Sequence, residues 1–80
     1  MREYAAVFGQ TKTGWSAYVP DLPGLAAAGS TYEETEQLLR EAMDIHLASM
    51  KEDGDPIPEP TTRIGIVAVE VSEQQLAKSA

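Results

Sequence analysis

The stretch GSTYEETEQLLREAMDIHLASMKEDG, residues 29–54, decides the fold, because it writes one long helix and both of its ends into the chain. Thr31-Tyr32-Glu33-Glu34 has the form of a capping box: the Thr31 hydroxyl accepts from the Glu34 amide while the Glu34 carboxylate reaches back. Ser30-Thr31-Tyr32-Glu33 offers the same motif one residue earlier, so two adjacent starts are open. Glu33, Glu34 and Glu36 fall in the first turns, where the helix dipole favours negative charge. Helical spacing runs through Thr35, Leu38, Leu39, Ala42, Ile45, His46 and Ser49, and Met43, Leu47 and Met50 widen the stripe on one side. No proline or glycine interrupts from Tyr32 to Asp53, a run of about 33 Å at helical rise. Gly54 is then placed as a left-handed C-terminal cap.

Short strands are expected before the helix. Residues 3–9 carry β-branched and aromatic side chains at period two, with Tyr4, Ala6 and Phe8 on one face and Ala5 and Val7 on the other. The polar loop Gln10-Thr11-Lys12-Thr13-Gly14 suits a hairpin, and Trp15 to Val19 returns with Trp15, Ala17 and Val19 opposite Ser16 and Tyr18. Pro20-Asp21-Leu22-Pro23-Gly24 must leave the ladder, since its two prolines lack donors and restrict their predecessors. Leu25 to Ala28 reads as a third strand of small side chains.

Beyond the helix, the alternating prolines of Asp55-Pro56-Ile57-Pro58-Glu59-Pro60 enforce an extended connector. Residues 63–71 read as the strongest strand. Ile64, Ile66 and Ala68 lie on one face, with Val67, Val69 and Val71 on the other, a pattern that calls for burial on two sides. One helix covers one face of a sheet, so the other face needs a second cover or a subunit contact. Ser72-Glu73-Gln74-Gln75 has a cap pattern for a last short helix. The expected architecture is α+β in the order β-β-β-α-β, one long helix packed on a four-stranded sheet of order 3-2-1-4. Residues 1–71 form the domain and 72–80 a short tail.

Composition narrows the function. Thirteen acids against six bases give a net charge of −7, which repels phosphate backbones and speeds encounter with a basic protein. Seven acids and two bases lie between Glu33 and Asp53, a run that is either a solvated helix face or a surface matched to a cationic partner. The chain has no cysteine, hence no disulfide or thiolate chemistry. No stretch is long and apolar enough for a bilayer span, and no signal peptide is visible, so a cytoplasmic protein is expected.

Catalytic constellations are poorly supported. Converging carboxylates for two-metal phosphoryl chemistry are scarce, because Glu3 and Glu70 are the only ones in the expected strands and Asp21 sits in a turn. His46, the single imidazole, has no recognisable triad or metal partner. The serines lack a nucleophile elbow, and the glycines match no phosphate-binding loop. Tyr4, Trp15 and Tyr18 lack the set of interleaved lysines and arginines that a base-stacking platform needs. The expectation is a protein without enzyme activity, cofactor or metal.

An ordered series of motifs from Tyr4 to about Pro60 resembles the HicB family of antitoxins, specifically the HicB-like domain. It comprises Gly14-Trp15, then Pro20-Asp21-Leu22-Pro23-Gly24, then Gly29-Ser30-Thr31-Tyr32-Glu33-Glu34, then Glu41-Ala42, and finally Asp53-Gly54-Asp55-Pro56-Ile57-Pro58-Glu59-Pro60. Pro20, Pro23, Gly24, Thr31, Gly54, Pro56 and Pro58 are its structural positions here. The resemblance implies a partial ribonuclease-H-like fold without nuclease activity. It also implies an antitoxin to HicA, a small basic toxin that cleaves messenger RNA, with the HicB-like domain masking the toxin's active surface. An orphan oligomeric module with no toxin, or with another protein partner, is the alternative. Assembly as a homodimer or homotetramer is implied as well. The short tail leaves no room for the helix-turn-helix or ribbon-helix-helix of longer members, so direct DNA binding is not expected. The candidate partner-binding residues are Glu33, Glu34, Glu36, Glu41 and Asp44 for electrostatic steering and Trp15, Tyr18, Asp21 and Leu22 for contact.

Overall fold

The computed structural model describes residues 2–72. Within them, three short strands precede one helix: β1 is Val7–Gln10, β2 Trp15–Tyr18, β3 Ala26–Gly29 and α1 Tyr32–Asp53. The sheet is antiparallel throughout in the order β1-β2-β3. The expected order of the first three strands holds, although β1 begins later than residue 3 and the other strand limits move by about one residue.

Register separates the two faces of the sheet. Phe8, Ala17 and Ala27 lie side by side across the strands and face the helix, whereas Val7, Tyr18 and Ala26 form a row on the opposite face. Ala17, Val19, Leu22 and Leu39 make the buried core, with Tyr4, Ala6, Phe8, Leu25, Ala27, Met43 and Leu47 packed around it. The helix lies chiefly over β3 and then over β2. The alanines of β3 suit that placement, since small side chains let a helix axis come close to the sheet. At the helix N-terminus Tyr32 covers the hairpin end, its ring 4.3 Å from Phe8 and edge-on to Trp15 at 5.4 Å. Edge-to-face geometry sets the positive rim of one ring against the negative face of another.

Both helix ends are closed by the residues expected to close them. Thr31 is the N-cap, with extended backbone, and its hydroxyl accepts from the Glu34 amide at 3.0 Å. The Glu34 carboxylate reaches back to accept from the Ser30 amide at 2.7 Å. At the other end Gly54 takes φ 77°, its amide donates to the Lys51 carbonyl, and the Asp55 amide donates to the Met50 carbonyl at 2.9 Å. This pair of bonds is a Schellman closure, which requires a left-handed residue at the position glycine fills.

The helix face differs from the expected stripe. Thr35 and Leu39 are buried, and Ala42, Met43, His46, Leu47 and Met50 are half-buried. Leu38, Ile45 and Ser49 instead face solvent, Ile45 with 72% of its surface exposed. The inward stripe therefore centres on Leu39, Met43 and Leu47. A three-stranded sheet is too narrow to cover an apolar band as wide as the one this helix carries.

The larger correction concerns residues 63–71. The described residues contain three strands and not four, and this segment lies outside the sheet. Ile64, Ile66, Val67, Val69 and Val71 are all exposed, Ile66 by 96%. A strand exists only where a neighbour accepts its ladder of hydrogen bonds, so apolar alternation sets the propensity but not the pairing. The short helix expected from Ser72 onward falls almost wholly outside the described residues.

Candidate interaction surfaces

Four features have the position or chemistry to recognise another molecule: the proline-bounded loop, the acidic helix, the bare sheet face, and a groove beside β1.

The loop after β2 is two consecutive turns. The Leu22 amide donates to the Val19 carbonyl at 3.0 Å and the Leu25 amide to the Leu22 carbonyl at 3.1 Å. In the second, Pro23 and then Gly24 at φ 86° occupy the central positions, the arrangement of a type II turn. The double reversal throws Leu22 inward, where it is 1% exposed. Leu22 was a candidate contact at the loop tip. It is instead a core residue that shapes the loop from beneath, because the turns point its side chain at Val19 and the helix rather than at solvent.

Asp21 is held by the chain itself. Its Oδ2 accepts from the amides of Thr61 and Thr62, both at 3.0 Å, and its Oδ1 from their hydroxyls at 3.1 and 2.9 Å. The Thr62 amide is the main reason the Asp21 carboxyl sits below its ordinary value of 3.8. Partial desolvation opposes that shift, and the other three donors add to it. Nearby, the Arg2 guanidinium donates to the carbonyls of Ile57 and Pro58 at 3.2 Å and lies 3.5 Å from Glu59. The Tyr4 hydroxyl donates to the Pro58 carbonyl at 2.6 Å. The connector is thus tied at both of its flanks. Sequence reasoning missed Arg2, Thr61 and Thr62. The adjacent threonines after a run of prolines were the only signal, and their partner lies 40 residues away.

The steering candidates Glu33, Glu34, Glu36, Glu41 and Asp44 are all exposed on α1. Their availability differs. Glu34 is engaged by the cap, and Glu41 accepts from Gln37 Nε2 at 3.0 Å. Of the contact candidates, Tyr18 is the freest, 52% exposed in the middle of the outer sheet face. Trp15 is half-buried against Tyr32 on the inner face. The structure therefore does not gather the nine residues into one patch: the acids are on the helix, Tyr18 is on the opposite side of the sheet, and Asp21 and Leu22 serve the fold.

The outer sheet face carries Val7, Tyr18 and Ala26 in one row and Gly9, Ser16 and Ala28 in the next, with no charged residue among them. On the inner side, a groove of about 760 Å³ runs between β1 and α1. Its floor is Tyr4, Ala6, Phe8, Leu39, Met43 and Leu47, and Glu36, Arg40 and Asp44 stand on its helix rim. Among the described residues no group of three or more histidines, cysteines or carboxylates is arranged to hold a metal, and no helix is long and apolar enough to cross a membrane.

Comparisons with curated proteins and with solved structures gave no match. A family model does match, over residues 4–75, and it describes the HicB-like antitoxins of bacterial toxin-antitoxin systems. That span includes the three strands, the doubly turned loop, the capped helix and the tethered connector, and the chain belongs to this HicB-like antitoxin family.

Proposed function

We propose that this protein works in the cytoplasm as the antitoxin of a small, basic, HicA-like ribonuclease, binding it stoichiometrically and covering the surface that cuts messenger RNA. Family membership carries this reading, and the charge distribution supports it. Glu33, Glu36 and Asp44 project from one long helix of an acidic chain, which attracts a cationic partner and raises the rate of encounter. The uncharged face around Tyr18 supplies apolar contact, in keeping with interface centres that are aromatic and poor in charge. Trp15, Asp21 and Leu22 act from behind that surface by setting its shape. The protein acts without enzymatic turnover, and it self-associates as a homodimer or homotetramer.

The test is to look for a small basic protein encoded beside this one and to co-express the two. Growth is restored and RNA cleavage by the purified pair stops at equimolar ratio. Changing Glu33, Glu36 and Asp44 together to glutamine slows association most strongly at low salt, whereas Tyr18→Ala acts mainly on dissociation. Continued cleavage in a soluble complex overturns the masking mechanism. Absence of any basic neighbour or companion protein overturns the antitoxin role.

A further inference from the structure

Each chain carries an empty place for a strand and an apolar strand with nowhere to lie. The place is the groove beside β1. Because α1 lies over β3 and β2, the inner side of β1 is incompletely covered, and Tyr4, Ala6, Phe8, Met43 and Leu47 line the gap. β1 and the residues flanking it, from Tyr4 to Thr11, carry neither a charge nor a proline, lacking the usual devices that keep a free edge from pairing. The unplaced strand is residues 64–71. Its eight residues span about 26 Å extended, close to the length of the uncharged run from Tyr4 to Gln10 that ends in β1.

We propose that these two features meet between molecules: each copy lays residues 64–71 along the β1 edge and groove of a second copy and receives that copy's segment in return. The proposal rests on the self-association inferred above and gives it a mechanism. Three observations favour a second copy over any other occupant. The segment leaves its own domain in a fixed direction, since Asp21 grips Thr61 and Thr62 and the prolines before them hold the backbone extended. Thr62, Arg63 and Ile64 pass beside residues 3–5, which brings the segment close to the chain leading into β1 before it departs. Beyond that point Ile66, Val67 and Val69 are open to water, and apolarity on both faces demands cover on both. Return to its own sheet offers the segment one helix-backed face. A two-fold pair offers the groove on one side and the partner's body on the other, and it closes with no strand left over.

The experiment uses the full chain carrying Val7→Cys and Val67→Cys, two substitutions at exposed positions in a protein that has no cysteine of its own. Sedimentation equilibrium gives the assembled mass, and a short bismaleimide followed by a denaturing gel shows whether the two thiols joined belong to one chain or two. Exchange predicts a species of at least twice 8.6 kDa and cross-linked bands of two chains. It also predicts that Ile66→Asp raises the concentration needed for assembly by roughly tenfold or more, since a carboxylate enters an apolar slot, while the helix signal in circular dichroism stays. An assembled protein with cross-links only within one chain, or with none, overturns exchange and leaves self-association standing. A single 8.6 kDa species overturns both.

Discussion

Residues 7–54 and residues 56–72 are both rich in patterned apolar side chains, yet the first region packs and the second lies open. In the first, the inward apolar side chains meet in one core: Phe8 lies beside Ala17 and Ala27, Leu22 beneath its own loop and Leu39 over the sheet. In the second, the polar groups are the ones satisfied. Asp21, Arg2 and Tyr4 hold the connector by hydrogen bonds, while Ile64 to Val71 remain uncovered. The contrast shows that hydrophobic pattern establishes a tendency to be buried, whereas the geometry of what is nearby decides where. In the exchange proposed above, the missing neighbour is a second copy of the chain.

Substitutions sharpen the contrast by degree. Leu22→Ala strikes the packed region at its largest fully buried side chain and lowers unfolding free energy by about 2–5 kcal/mol in chemical denaturation. That is a large share of the roughly 4–12 kcal/mol available to a chain of this size. A loss below 1 kcal/mol would mean that the loop is not seated on the core. Gly54→Val forces a β-branched residue into the left-handed region and costs about 1–2 kcal/mol. An unchanged melting curve would refute the Schellman closure. Thr31→Ala removes the acceptor of the Glu34 amide and costs on the order of 0.5–2 kcal/mol; if Ser30→Ala proves the more costly change, the helix begins one residue earlier. By comparison, Ile66→Ser in the open region changes the stability of the dilute, dissociated chain by less than about 0.5 kcal/mol. A large effect at that dilution would show the segment packed within its own molecule.

The smallest effect is electrostatic and falls on the boundary between the two regions. Asp21 is more acidic in the folded chain than an ordinary aspartate, so its grip on Thr61 and Thr62 is complete above the ordinary value. It is lost as pH falls through the lower, folded value. In an NMR titration the Thr61 and Thr62 amide resonances hold steady from neutral pH down to the ordinary aspartate range and then move upfield together below it. Asp21→Asn abolishes that transition. A transition above the ordinary value would reverse the sign and disprove the clamp.

Legibility in the sequence followed the range of the interaction. The helix was readable to within one residue at its start and to the residue at its end, because its caps are local: Thr31 and Glu34 are three positions apart, and Gly54 bonds within the last turn. The first three strands were readable in number and order, although β1 starts at Val7, where pairing with Tyr18 begins. The surface was less readable. Leu22 looked like an exposed loop tip until two turns folded it inward, and Asp21 looked like a contact for a partner until its donors proved to be Thr61 and Thr62. Both placements share one cause. A motif shows which residues matter but not the direction in which they point.

By itself the sequence determined the capped helix, the short antiparallel strands, the turn chemistry of Pro23-Gly24 and the acidic surface, because each depends on backbone preferences and charges acting over a few residues. Only the tertiary structure decided which helix face is covered, where Asp21 spends its carboxylate, and that residues 63–71 stand outside the sheet. Those outcomes turn on which surfaces meet between residues distant along the chain, up to 41 positions apart for Asp21 and Thr62, and no local preference sets that geometry.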